Sequence, residues 1–306
     1  CIKHDPFIVA QDRFNRKLKD MLHAGEVSEP LYEQLRSVGS QPARLYGLAK
    51  VHKDRKDPPY RPVLSMPNAY CTNLAKWLDG LIKPYIASNN TVSDTFEFVD
   101  LMKSTTIDAS KCYMVSFDVK SLFTSIPVKE TINYICQKLP FDSLPINAQT
   151  MRKLLTMACT DILFSFNNNL YVQHEGMAMG SNLGPTMASY AMEIIEAKLE
   201  NKPLIYRRYV DDIFAVFKNR SQARRYLKYL NSFHNNIKFT LEEESNDEIV
   251  FLDVKIKRTE KSFQLSWHMK ETNTGRYIPQ NSSSPMSNKS NAIRALVYRA
   301  YRIASS

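Results

Sequence analysis

Residues 204–217 read LIYRRYVDDIFAVF. Two β-prone runs flank an aspartate pair, Asp211 and Asp212, so the stretch predicts a hairpin that presents both carboxylates at its turn. Asp-Asp alone is a common turn pair. Between Tyr209-Val210 and Ile213–Phe217 it is less ordinary, because two carboxylates there repel unless a cation sits between them. Hard divalent cations take carboxylate oxygens. A second stretch, CYMVSFDV (112–119), predicts a buried strand that carries Asp118. A charge inside such a strand needs a partner or a metal. If this strand lies beside the hairpin, Asp118, Asp211 and Asp212 form one acidic group. Such a group suits two Mg²⁺ ions about 3.5–4 Å apart, which activate an attacking hydroxyl and stabilise a leaving oxygen.

Working outward, strands and helices intermix without a regular βα repeat, and hairpins are prominent. That predicts an α+β fold with an antiparallel sheet. Residues 1–40 read as polar and helical. Five prolines punctuate 41–68, which predicts an edge hairpin or extended arm, rich in cations such as Arg44, Lys50, Lys53 and Arg61. Asn73 is the expected cap of an amphipathic helix through Leu74, Leu78 and Ile82. Pro127 opens another helix, as proline does at no cost in the first turn. A further helix is expected at about 150–160, and a hairpin around Asn167–Asn169. Pro185 is expected to start a helix, and Ser221 to cap one. Residues 237–241 and 249–257 read as strands, and 291–304 as a basic helix.

The chain has 306 residues, 43% hydrophobic and 24% charged, which excludes general disorder. It contains no run of 18 apolar residues, so no membrane-spanning helix is expected. Its net charge of +10 is concentrated: residues 201–306 carry 19 basic and 10 acidic side chains, against 11 and 13 in residues 61–200. A basic terminal third suggests a polyanionic partner, nucleic acid first, with a solubilising excess as the plainer reading. The five cysteines form no Cys-x-x-Cys pair, so a reducing, intracellular compartment is expected. Because the chain opens on Cys1, it is expected to be a fragment of a longer protein.

The motifs, taken in order, resemble those of reverse transcriptases. RLYGLAKVHK (Arg44 to Lys53) and RPVLS (Arg61 to Ser65) resemble the fingers arm. FDVKSLFTSIP (Phe117 to Pro127) resembles the first catalytic motif. QHEGMAMGSNLGP (Gln173 to Pro185) resembles the template-binding and primer-binding turn and helix. YVDD (Tyr209 to Asp212) resembles the metal-binding hairpin, and FLDV (Phe251 to Val254) the primer grip. The wording is most similar to Penelope-like retroelements, relatives of telomerase catalytic subunits, on YGLAKVHK, RPVLS and WHMKETNTGRYI (Trp267 to Ile278). Asn182 and Gly184 depart from the family's usual serine and proline.

The resemblance implies a right-hand polymerase. Residues 1–110 would hold N-terminal helices and fingers, and 111–260 the palm, with fingers elements inserted at about 127–170. Residues 261–306 would start the thumb. It implies an RNA template, a DNA primer, dNTPs and two Mg²⁺ ions, with Mn²⁺ as a substitute, held by Asp118, Asp211 and Asp212. Lys50, Lys53 and Arg61 would contact the triphosphate, and Gln173 and Gly180 would approach template or nucleotide. Phe123 would lie under the sugar and exclude a ribose 2′-OH. Lys238 or Lys255 would protonate pyrophosphate. The basic terminal helix, with Arg294, Arg299 and Arg302, would touch duplex phosphate. A nuclear location is expected. The alternatives are an inactive polymerase relic that binds RNA, and an RNA-dependent RNA polymerase, against which Phe123 argues.

Overall fold

The computed structural model describes residues 5–304 apart from 52, 53, 55, 88, 201, 261, 271 and 272. The chain forms two compact units, one from Cys1–Ala87 with Ser121–Leu199 and the other from Ser88–Lys120 with Glu200–Ser306. Residues 127–170, expected as fingers elements inserted into the palm segment, lie in the first unit, and residues 261–306, expected to start the thumb, lie in the second.

In the first unit, helix Pro6–His23 starts where the Asp5 carboxylate accepts a hydrogen bond from the Phe7 N–H at 2.9 Å. Phe7, Phe14, Leu18 and Met21 fall on one helical face and are buried. Strands Ala43–Ala49 and Tyr60–Ser65 form the expected hairpin. A second hairpin, Ile162–Phe166 with Asn169–Gln173, turns through Asn167 and Asn168, both at positive φ (48° and 61°). Asparagine tolerates that conformation, which suits a two-residue hairpin turn. The sheet order is 60–65, 43–49, 162–166, 169–173; only the pairing of Ala43 and Arg44 with Phe164 and Ser165 is parallel. Helices Thr72–Ile82, Val128–Lys138, Ala148–Cys159 and Gly184–Glu196 bury Leu78, Ile135, Leu155 and Met187. Asn73 lies inside its helix rather than at the cap. The chain enters through Cys71, and the Thr72 hydroxyl donates to the Met66 carbonyl at 2.6 Å instead.

In the second unit, a four-stranded antiparallel sheet runs in the order Ile205–Tyr209, Asp212–Phe217, Tyr113–Val119, Phe239–Glu243. Strand Asp212–Phe217 is central and covered on both faces, which is why it reads as a continuous apolar run. Phe214 meets Phe98 and Phe251 at centroid distances of 5.3 and 5.8 Å. Phe217 meets Tyr226 of helix Arg220–Leu230 at 5.2 Å. Burying each such side chain is worth about 1.5–3 kcal/mol, so the strand that begins at Asp212 is firmly anchored.

Three expectations are corrected in this unit. Helix Arg220–Leu230 is capped by Asn219, whose Oδ1 accepts from the Gln222 N–H at 3.0 Å, not by Ser221. Residues 249–257 are not one strand. They are the arms Glu248–Phe251 and Val254–Arg258, which pair and turn through Leu252 and Asp253 at φ 49° and 62°. A further strand, Phe263–Trp267, completes that three-stranded sheet. The terminal helix starts at Met286 rather than at 291 and runs to Ile303, and two of its arginines pair within the unit. Arg302 pairs with Asp100 at 2.8 Å; Arg299 lies 3.7 Å from Asp253 and over the Trp267 ring. Arg294 is exposed, and so are Met286, Ile293, Val297 and Tyr301.

Candidate active site

The hairpin and the strand beside it bring the three aspartates to one edge. Asp118 is the cross-strand partner of Asp212, and Tyr209 pairs Asp212 from the other side. Val210 and Asp211 form the two-residue turn between the hairpin arms. The Asp211 carbonyl accepts from the Val119 N–H at 3.3 Å, which ties the turn to the strand that carries Asp118. Val210 stands at φ 55°, a left-handed conformation rare for a β-branched residue and costing about 1–3 kcal/mol.

Electrostatics agrees with this crowding. The Asp212 carboxyl is pushed up to about 6, first by the atoms packed around it, then by repulsion from Asp211 and Asp118. Lys270 offsets part of that rise, and Glu242 adds to it. Asp118 is exposed at the end of its strand, not buried as its apolar neighbours suggested. The alternation of the strand turns it outward, between the buried Phe117 and Val119.

Among the described residues, no three His, Cys, Asp or Glu side chains close around a single ion. The donors present are nonetheless hard carboxylate oxygens that repel one another. Mg²⁺ is commonly held by one or two carboxylates together with substrate phosphates rather than by an all-protein cage. The acidic edge fits that mode.

The residues expected on the nucleotide side belong to the first unit. Arg61 is exposed on strand Tyr60–Ser65, opposite Leu48. Lys50 follows the partner strand and is half-buried; Lys53 lies outside the described residues. Gly180 has φ 129°, and a Cβ there would stand 2.0 Å from the Leu64 carbonyl oxygen, so no other residue fits. The Leu64 N–H also donates to the Met179 carbonyl at 2.8 Å, which pins the loop to the strand of Arg61. The Phe123 carbonyl accepts from the Met177 N–H at 2.7 Å. A Cβ at Gly184 would come within 3.2 Å of the Phe123 ring, so the departure at Gly184 makes room for that ring. Gln173 ends strand Asn169–Gln173, and its Nε2 donates to the Glu175 carbonyl at 3.1 Å. Its Oε1 is buried with no hydrogen-bond partner among the described residues.

Of the two lysines considered for protonating pyrophosphate, Lys238 donates to the carbonyls of Asn231 and His234, and Lys255 pairs with Glu248 at 2.6 Å. Lys270, whose charge acts on Asp212, was not singled out from sequence. Neither was Arg208, which is 1% exposed beside the hairpin turn. A cation before YVDD reads as surface charge unless its burial is seen.

Residues 51–245 match the family model described as reverse transcriptase (RNA-dependent DNA polymerase). The chain belongs to this reverse transcriptase family. Among solved structures it is similar to telomerase from Candida albicans in complex with a TWJ fragment of telomeric RNA. The identity is 9% and the TM-score 0.59, over 92% of this chain and 53% of that one. It is also similar to Candida tropicalis telomerase truncated from its C-terminal domain, at 14% identity and TM-score 0.54, over 74% of this chain and 56% of that one. No curated protein sequence matches. The reverse transcriptase chain thus spans about half the length of these telomerases, and at such identities the likeness is one of fold. The fold is the α+β polymerase fold expected from sequence.

Proposed function

We propose that this domain is an RNA-directed DNA polymerase that extends a DNA primer with dNTPs on an RNA template. The observation that carries the reading is the register of Asp118 with Asp212, beside the turn that holds Asp211, inside the segment that matches the family. Asp118 and Asp211 would hold the divalent ions, and Asp212 would support them. When bound, Mg²⁺, or Mn²⁺ in its place, activates the primer 3′-OH and neutralises the leaving pyrophosphate. Arg61 offers the triphosphate a fork of donors. Lys50 and Lys53 would add charge to the same group. The unpaired Gln173 Oε1 is an acceptor suited to a nucleotide hydroxyl or a template base. Gly180 keeps its backbone bare for close approach, and the Phe123 ring excludes a 2′-OH.

The resemblance at YGLAKVHK, RPVLS and WHMKETNTGRYI supports the finer assignment to a Penelope-like retroelement acting in the nucleus. No helix among the described residues is long and apolar enough to cross a membrane. The test is extension of a DNA primer on an RNA template with Mg²⁺, by the parent and by Asp118→Asn and Asp211→Asn. The parent should extend the primer, and each variant should lose about 100-fold or more in rate while still folding. Near-normal extension by either variant would overturn the site.

A further inference from the structure

Arg208 heads the largest fully buried side chains among the described residues. A guanidinium in such a place is costly unless its donors are engaged. Its Nη1 donates to the Val210 carbonyl at 3.2 Å. Its backbone is fixed on both sides. The Arg208 N–H donates to the Asn90 carbonyl at 2.8 Å, its carbonyl accepts from the Val92 N–H at 2.9 Å, and Ile213 is its cross-strand partner. The base of the side chain is therefore immobile, and the bond to Val210 acts from a fixed point.

That bond falls on the one peptide that most needs holding. The Val210 carbonyl belongs to the peptide that enters Asp211, and Val210 is the strained, left-handed residue of the turn. Relaxation of its φ would rotate this peptide and move Asp211 with it. The peptide that leaves Asp211 is held separately, by the Val119 N–H. Asp211 thus sits between two restrained peptides, one held by a neighbouring strand and one held by a buried side chain.

We propose that Arg208 is a positioning residue for the polymerase: its guanidinium locks the peptide entering Asp211 and so keeps the Asp211 carboxylate in place for metal binding. The proposal rests on the polymerase reading above. Lysine cannot reproduce a planar fork of donors, and methionine keeps volume but no donor.

The experiment compares Arg208→Lys and Arg208→Met with the parent chain. Three readouts are taken: thermal melts, Mn²⁺ titration by electron paramagnetic resonance without nucleotide or primer, and steady-state single-nucleotide extension. Loss of a residue that orients a metal ligand typically costs about 10–100-fold in metal affinity or activity. The expected result is folded variants with Mn²⁺ affinity and kcat each reduced by about that factor, and KM for the dNTP unchanged. Val210→Asn, which tolerates the left-handed turn, should restore part of the Mn²⁺ affinity in the Arg208→Met background.

A folded Arg208→Met with parental Mn²⁺ affinity and kcat overturns the proposal. If Arg208→Met does not fold, Arg208→Lys decides on the same readouts. Unfolding of both would make Arg208 a structural residue and overturn the positioning role. If the parent binds Mn²⁺ but extends no primer, the polymerase reading fails, while the Mn²⁺ titrations still judge Arg208.

Discussion

Removing one carboxylate from the acidic edge should make the protein more stable. In Asp212→Asn the side chain keeps its shape and loses its charge. Asp212 has its carboxyl raised from 3.8 to about 6, so the folded state holds a proton that the unfolded state releases. The stability this group contributes is complete below about 3.8 and is lost as pH rises through about 6. Above that, the folded chain confines an ionised Asp212 among packed atoms and beside Asp211 and Asp118, and the unfolded chain does not. Taken whole, the shift corresponds to about 3 kcal/mol. Because Asp212 keeps accessible surface, screening reduces this to about 1 kcal/mol. At the size of these units, that is a rise in Tm of about 2–4 °C.

The assay is a thermal melt of parent and variant in EDTA at pH 8 and at pH 4. The variant should melt higher at pH 8, and the difference should shrink towards zero at pH 4. Divalent ions should then stabilise the parent more than the variant. A variant that melts lower than the parent at pH 8 without metal, or that differs by the same increment at both pH values, would refute the argument that the fold disfavours an ionised Asp212.

Phe123→Ala should admit ribonucleotides, with discrimination in kcat/KM falling about 10-fold or more; a folded variant that rejects them as strongly as the parent shows that the ring is not the gate. Gly180→Ala should cost more than a surface change, about 3 kcal/mol or more by denaturant melt, because its Cβ meets the Leu64 carbonyl; a parental melting curve would mean the loop is not pinned there. Neutralising Arg299 and Arg302 should lower Tm with little effect on the salt dependence of duplex binding, whereas Arg294→Gln should flatten that dependence by about one phosphate contact; the reverse pattern would return Arg299 and Arg302 to the nucleic acid.

The acidic hairpin was legible because an apolar run broken by Asp211-Asp212 has few other solutions. Asp118 was legible for the same reason, although its exposure was not, since strand alternation sets which face it takes. The Asn167-Asn168 turn advertised itself. The Leu252-Asp253 turn did not: it uses the same left-handed pair without glycine or asparagine, and it keeps the apolar rhythm of its arms. Asn219 and Ser221 are both competent caps, and only the entry path of the chain favours Asn219. Arg208 and Lys270 were missed because burial and field strength arise from strands distant in sequence. Gly184 was visible as a departure, but its meaning needed the Phe123 ring beside it.

Strand Asp212–Phe217 is buried along five of its six residues and hydrogen-bonded on both edges. A carboxylate mounted at the head of such a strand has no private motion. Its backbone amides should exchange with deuterium only through opening of the whole unit, on the slowest timescale the molecule has. The backbone that carries Asp212 would then persist or vanish together with the fold, whereas Asp211, in the turn just before the strand, depends on the restraints of that turn. Partial loosening by heat or denaturant should silence substrate-side loops long before it disturbs Asp212.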